Sequence, residues 1–257
     1  MVVADLHVHT TNSDGTLTLD TLPEAARRAS LDAVAITDHD RLHPDLDDPI
    51  VDIEGLTVIH GIELRVDAGA FRLDLLGYGV RPTADLQALV ERLQANRIER
   101  ARAIVTRVEE HTGVTLDVSF EEGVGRPHIA RAIDASDADY DYEGAFVHLI
   151  GDDGPCYVPR DVPDFETGRD CLKEACGVVG LAHPFRYADP ERALARCETL
   201  DAVERYYPYG REVDDSLVTD AVRRYDLLVT GGSDAHDEQL GLAGLGAEAF
   251  ECVRQEI

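Results

Sequence analysis

The feature of this sequence that most limits how it can fold is the way its aliphatic runs end. The first runs into His7-Val8-His9, the second into Thr37-Asp38-His39-Asp40 and a third into Gly61-Ile62-Glu63; a later one stops at Ala182-His183-Pro184 and the last at Gly232-Ser233-Asp234-Ala235-His236. Short β-branched runs of this kind, each followed by a loop and usually by a helical pattern, predict βα units. In a β/α barrel the carboxyl ends of the strands open on one face, so side chains scattered along the chain would converge there. Alternate residues of a strand share a face about 6.6 Å apart, which lets His7 and His9 approach one ion. Asp14, in the turn-like Ser13-Asp14-Gly15, follows the first strand.

Candidate strands cover residues 2–8, 33–37, 56–63, 71–78, 178–182, 201–205 and 227–230, and candidate helices include 23–29, with proline in its first turn, and 214–224. Between 83 and 111 the residues Leu86, Leu89, Val90, Leu93, Ile98, Ile104, Val105 and Val108 recur at helical spacing, with Thr83 placed to cap the start and Gly113 the end. Further helical patterns at 127–135, 142–150 and 166–176 follow with no convincing strand between them. The chain therefore reads as α/β: a β/α barrel from 1–81 and 161–257, with a helical insertion over 82–160 that forms a lid or second subdomain.

Charge narrows the partners. The chain has 51 Asp and Glu against 24 Lys and Arg, a net charge of -27, and Lys173 is its only lysine. Such a surface repels itself in dilute buffer, whereas molar salt screens it over about 3 Å. A salt-rich, halophilic cytoplasm is the expectation. The same charge argues against binding duplex nucleic acid, which needs many cationic contacts to phosphate, and no protein partner is indicated. The opening MVVADLHVHT has neither a basic start nor a long apolar region, and no run of apolar residues reaches membrane-spanning length. The five cysteines show no C-x-x-C and no framework spacing, as expected of reduced thiols in the cytoplasm.

Imidazoles and carboxylates without thiolates suit Zn, Mn or Fe. Closely spaced ions form a clamp for phosphoryl transfer, lowering the pKa of a bound water and neutralising the transferring group.

Taken in order, Asp5-Leu6-His7-Val8-His9-Thr10, Ser13-Asp14-Gly15, Ile36-Thr37-Asp38-His39-Asp40, Gly61-Ile62-Glu63, Leu181-Ala182-His183-Pro184 and Gly232-Ser233-Asp234-Ala235-His236 resemble the successive motifs of the PHP family, named for polymerase and histidinol phosphatase. The resemblance implies a distorted seven-stranded β/α barrel with a trinuclear metal site. It implies one ion on His7, His9, Glu63 and Asp234, with Glu63 bridging to a second ion that also takes His183 and residue 74, and a third on Asp14, His39 and His236. Here the chain departs from the pattern, because Asp74 stands where the family most often has histidine. A charged, harder ligand tilts that second site toward Mn and away from Zn.

Arg126-Pro127-His128-Ile129-Ala130-Arg131 resembles a segment of the branch that acts on nucleoside 3',5'-bisphosphates and on the 5' ends of short RNA. Arg126 offers a fork for phosphate, and His128 can donate to it or protonate a leaving oxygen. Arg186 is placed by the same resemblance for phosphate contact. The expected function is hydrolysis of a nucleotide phosphate ester by metal-bound hydroxide, with three divalent ions, Mn favoured. A histidinol-phosphatase-like activity and a non-catalytic metal-binding module are the alternatives. His43, His60, His111 and His148 are read as non-ligands, and Asp38, Asp40 and Glu204 as carboxylates that orient ligating imidazoles.

Overall fold

The aliphatic runs pair into one sheet because most of them are apolar on both faces, as strands buried between an interior and a helical layer must be. The structure is a computed structural model that describes all residues from Met1 to Ile257. Its chain divides into two units, one made of Met1–Ala88 with Val162–Ile257 and the other of Leu89–Asp161.

In the first unit β1 (Ala4–Val8), β2 (Ala33–Ile36), β3 (Ile50–Ile53), β4 (Leu56–Asp67), β5 (Arg72–Tyr78), β6 (Val178–Leu181), β7 (Ala202–Tyr206) and β8 (Leu228–Gly231) share one sheet. Seven of them follow one another in the order β1-β2-β4-β5-β6-β7-β8, and β3 pairs with β4 off that path. The segment after β8 returns to β1, where the His9 amide donates to the Ala235 carbonyl at 2.9 Å and the Ala235 amide to the His7 carbonyl at 3.2 Å. This contact curls the sheet into a distorted (β/α) barrel. Gly232 permits it: a Cβ there would lie 2.4 Å from the Cβ of His7.

Residues alternate between the two faces of the sheet. Leu6, Ala33, Ala35, Ile59, Tyr78, Ala182 and Ala202 join in a central cluster. Val8, Val34, Ile36 and Val58 pack instead with Leu22, Ala25 and Ala26 of α1 (Leu22–Arg28). The outer layer of this unit also includes α5 (Phe165–Ala175), α6 (Pro190–Leu194), α7 (Asp215–Tyr225) and α8 (Ala247–Arg254).

Two strands depart from the expected pattern. β4 does not stop at Glu63 but runs on to Asp67, because its second half pairs with β5, Glu63 opposite Leu76 and Arg65 opposite Asp74. β5 is antiparallel to both of its neighbours. Asp74 therefore lies near the start of its strand rather than at its end, and the rule for parallel barrels does not extend to it. The hairpin strand β3 was not legible in the sequence, and neither were α6 and α8.

The helix α2 (Ala84–Thr112) starts with the Leu86 amide donating to Thr83 Oγ1 at 3.2 Å and ends at Gly113, whose φ of +76° suits glycine. The second unit holds most of α2, α3 (Arg126–Asp134) and α4 (Tyr142–Ala145), the last continuing as a π turn over Phe146–Ile150. Ile104, Val108, Ile129, Ile133, Leu149 and Ile150 form its own core. No helix of the chain is long and apolar enough to cross a membrane.

Candidate metal centre

The end of the barrel where β1, β2 and β8 finish gathers the nine residues expected as ligands. His7 projects from β1 and His9 follows its last residue, and both are fully buried. Asp14 sits in the loop that follows, which Asp38 fastens: the Asp38 carboxylate accepts from the Thr10 amide at 2.8 Å, the Thr10 hydroxyl at 2.7 Å and the Ser13 hydroxyl at 2.6 Å. His39 bridges to Glu63 as β2 ends. His183 and Asp234 follow β6 and β8 with φ of +28° and +51°, and Asp40 has φ of +50°. Backbone of this kind costs free energy in non-glycine residues and concentrates at functional sites.

The nine residues fall into three sets whose donor atoms lie within 4.8 Å of one another: His7, His9, Glu63 and Asp234; His9, Asp14, His39 and His236; and Glu63, Asp74 and His183. Asp234 Oδ1 lies 3.0 Å from His9 Nε2 and 3.4 Å from His7 Nε2. Glu63 stands at the centre, with Oε1 2.9 Å from His183 Nε2 and Oε2 2.7 Å from His39 Nδ1. His236 Nε2 is 3.3 Å from Asp14 Oδ1.

These sets suit divalent ions. His7 Nε2 is buried without a hydrogen bond although two carboxylate oxygens lie 3.4 and 3.5 Å away. Leaving a buried polar nitrogen so is costly, and a cation between the three groups would resolve it. Its Nδ1 faces Glu204 Oε1 at 3.0 Å, and Glu204 Oε2 accepts from the His183 amide at 2.7 Å. One buried carboxylate thus fixes two members of the centre, the role expected of it. Asp38 departs from that expectation and fastens the Thr10–Ser13 loop, and Asp40 accepts from the Arg65 amide at 2.9 Å.

The electrostatics keep the carboxylates ionised, whereas burial and the neighbouring His39 hold the His9 imidazole down. Burial pushes the Glu63 carboxyl up, but His39 and His7 outweigh it and hold the group well below the usual range. Burial likewise raises Asp234, and His7 and His9 reverse it. For His7 burial acts downward, yet Glu204, Asp234 and Glu63 lift the imidazole well above its ordinary value. His236 rises to about 9, burial being outweighed by its bond to Asp14.

Several residues at this end were not foreseen. Asp5, buried in β1, accepts from the Ser233 amide at 2.9 Å and the Gly241 amide at 2.8 Å, tying the Asp234 loop to the first strand. A carboxylate inside a fully buried strand was the available signal. Tyr207 donates to Asp234 Oδ2 at 2.8 Å, where it joins Arg186, the residue expected at a phosphate, whose Nη1 donates to the same oxygen at 2.8 Å. Arg65 forks onto Asp74, Nε to Oδ1 and Nη2 to Oδ2, each at 2.6 Å.

In the helical unit Arg126 donates to the Ile150 carbonyl at 3.2 Å and to Asp152 at 2.6 Å. His128 Nδ1 accepts from the Gly125 amide at 3.2 Å, which places the proton of the neutral ring on Nε2. Arginines crowd this region. Arg100 is pushed down to about 9 by burial and by Arg126, Arg160 and Arg97, and the Tyr157 ring lies 5.8 Å from the guanidinium carbons of both Arg100 and Arg126. His43, His60, His111 and His148 stand outside the three ligand sets. His60 is buried and falls to about 4 through desolvation and the nearby His43.

A curled β/α sheet with five imidazoles and four carboxylates converging at one end is the framework of a metal-assisted hydrolase. Residues 5–195 match the PHP domain. The chain is 28% identical to the phosphoribosyl 1,2-cyclic phosphate 1,2-diphosphodiesterase of Eggerthella lenta, over 91% of this chain and 94% of that protein. It is 29% identical to the 3',5'-nucleoside bisphosphate phosphatase of Chromobacterium violaceum, over 78% of this chain and 73% of that protein. A solved structure from Bifidobacterium adolescentis, assigned to the metal-dependent phosphoesterases, superposes with a TM-score of 0.83 at 25% identity, covering 99% of this chain and 96% of that one. The chain belongs to the PHP domain family. It is an enzyme that hydrolyses phosphate esters.

Proposed function

We propose that this enzyme hydrolyses phosphate esters of nucleotides, a 3',5'-bisphosphonucleotide or the 5' end of a short RNA, using three divalent ions of which Mn is favoured. The observation that carries this reading is the gathering of nine nitrogen and oxygen donors around Glu63 in three adjoining sets. When bound, the ions supply a nucleophile at neutral pH and neutralise charge on the transferring phosphoryl group.

The chain's own residues prepare the site. Glu204 holds His7 through Nδ1 and leaves Nε2 directed at Glu63 and Asp234. Tyr207 and Arg186 keep Asp234 turned inward. Arg186, half exposed, retains donors for a phosphate oxygen. In the helical unit, Arg126 would take a phosphate of the substrate by its fork and His128 by donating Nε2-H. The crowding of Arg97, Arg100, Arg126 and Arg160 supports an anion-binding role for the helical unit, because like charges so placed are stabilised by a bound phosphate. The acidic composition supports a soluble life in a salt-rich cytoplasm.

The test is a substrate panel in molar KCl with Mn: adenosine 3',5'-bisphosphate, AMP, histidinol phosphate, a five-membered cyclic phosphate ester and a 5'-phosphorylated RNA oligomer. Phosphate or mononucleotide release from the bisphosphate or the RNA is the expected outcome, with His7→Ala inactive. Turnover of histidinol phosphate alone would transfer the assignment to a small-molecule phosphatase. No turnover on any substrate would favour the non-catalytic module.

A further inference from the structure

The three ligand sets are not equally ready for an ion. In the first, His7 Nε2 has no hydrogen bond, although His9 Nε2 and Asp234 Oδ1 bond each other at 3.0 Å. In the set of Glu63, Asp74 and His183, each atom facing the corner already has a partner: Glu63 Oε1 and His183 Nε2 bond each other at 2.9 Å, and Asp74 Oδ2 accepts from Arg65 Nη2 at 2.6 Å. Oδ2 is also the Asp74 oxygen that looks toward His183, 3.8 Å from its Nε2.

The arrangement comes from register. Arg65 and Asp74 are directly opposed in the antiparallel pair of β4 and β5, so their side chains leave the same face of the hairpin side by side. The fork engages both carboxylate oxygens, the geometry that fits guanidinium to carboxylate best. Two further bonds fix the pair from behind: Asp40 accepts from the Arg65 amide at 2.9 Å, and the Asp74 amide donates to the Tyr187 hydroxyl, also at 2.9 Å. Asp74 is almost fully buried, whereas about a third of the Arg65 side chain reaches solvent. The cation therefore sits on the outer side of the carboxylate and the corner on its inner side.

We infer that Arg65 acts as a resident cation at the Glu63, Asp74 and His183 corner, so that the chain holds two divalent ions tightly and a third there only weakly. The inference rests on the metal-dependent reading above and ranks its three sets. A dication at this corner shares Asp74 with a fixed positive charge in direct contact, and it must also break the bond between Glu63 and His183. The first set also has a bond to break, between His9 Nε2 and Asp234 Oδ1 at 3.0 Å, but there the cation Arg186 donates to Asp234 Oδ2 and not to the Oδ1 that faces His7 and His9. The paired Arg65 and Asp74 carry no net charge, so the corner is left with the single charge of Glu63, as it would be with a neutral imidazole at position 74. Arg65 thus offsets the carboxylate that replaces histidine.

The experiment is metal uptake by the full chain. Protein stripped by chelation is dialysed in molar KCl against graded Mn, and bound metal is measured by elemental analysis. Wild type is expected to take two equivalents tightly and a third at least tenfold more weakly. Arg65→Met is expected to tighten the third equivalent tenfold or more while changing the first two less than threefold, and Arg65→Met with Asp74→Asn to lose that gain. Circular dichroism and melting check that each variant folds. If Arg65→Met does not fold, Arg65→Gln replaces it, and the wild-type stoichiometry decides independently. Three equally tight equivalents in wild type, or a third unchanged by removing Arg65, would overturn the role of Arg65 and leave metal dependence standing. Failure to take up any metal would remove both.

Discussion

The two units of this chain solve opposite electrostatic problems with different materials. The barrel collects carboxylates and imidazoles on short side chains at strand ends, backed by the buried carboxylates Asp5, Asp38 and Glu204. The helical unit collects arginines whose long side chains rest on aromatic rings, Arg126 lying 5.8 Å from the Phe146 ring as well as from Tyr157. The first arrangement is rigid, because strand register and strained loop residues set each donor. The second is adaptable, because a guanidinium on a flexible stem can follow a phosphate. Ion binding should therefore be sensitive to small changes around the barrel's ligands, and substrate binding should respond more gently to changes in the helical unit.

The sharpest way to break this comparison is Glu204→Gln. Glu204 lies outside the three sets, yet it fixes the His7 ring and the His183 amide together. The amide keeps the shape but removes the negative charge that makes the imidazole a stronger donor. Changes to groups that orient a metal-bound histidine typically weaken metal affinity by about 10- to 100-fold. That loss is expected here in Mn titrations, with activity partly recovered by raising Mn. Affinity unchanged in a folded variant would mean that the barrel site is not organised through Glu204.

What could be read from the letters follows the same division. The donors at parallel strand ends were legible because a run of aliphatics that stops at His or Asp marks both an element and its open end. His7, His9, His39, His183, Asp234 and His236 are of this kind. Asp74 was placed among the donors by resemblance, and its geometry could not be foreseen, because its strand runs against its neighbours. The fork from Arg65 depends on the register of β4 against β5, and nothing local in Gly61-Ile62-Glu63-Leu64-Arg65 states it. Likewise the apolar stripe announced α2, but the convergence of Arg97, Arg100, Arg126 and Arg160 needed the fold of the helical unit.

A smaller effect should follow Arg126→Met. A hydrogen bond to a charged partner is worth about 1.5–3 kcal/mol, and Asp152 already competes for this guanidinium from the solvent side. The KM for a bisphosphonucleotide is therefore expected to rise about tenfold, with kcat changed only a few-fold and Mn uptake unaltered. A collapse of Mn uptake instead would erase the division of labour between the two units.

The smallest effect concerns the surface outside both sites. With a net charge of -27 and one lysine, the folded chain repels itself more than the extended chain does, because folding brings the carboxylates closer. Raising KCl from about 0.1 M to about 2 M shortens the screening length from about 10 Å to under 3 Å, which removes most of that repulsion. Surface ion pairs such as Arg28 with Glu238 lose their small contributions under the same conditions, so the two changes oppose each other. The repulsion extends over the whole surface while each pair is local, and the balance should favour the folded state by about 1–2 kcal/mol. For a chain of this size that is a rise of a few degrees in Tm. The buried centre should be insensitive to the same salt, so metal stoichiometry should not move. A Tm that falls as KCl rises would remove the case for adaptation to a salt-rich cytoplasm and leave the metal centre untouched.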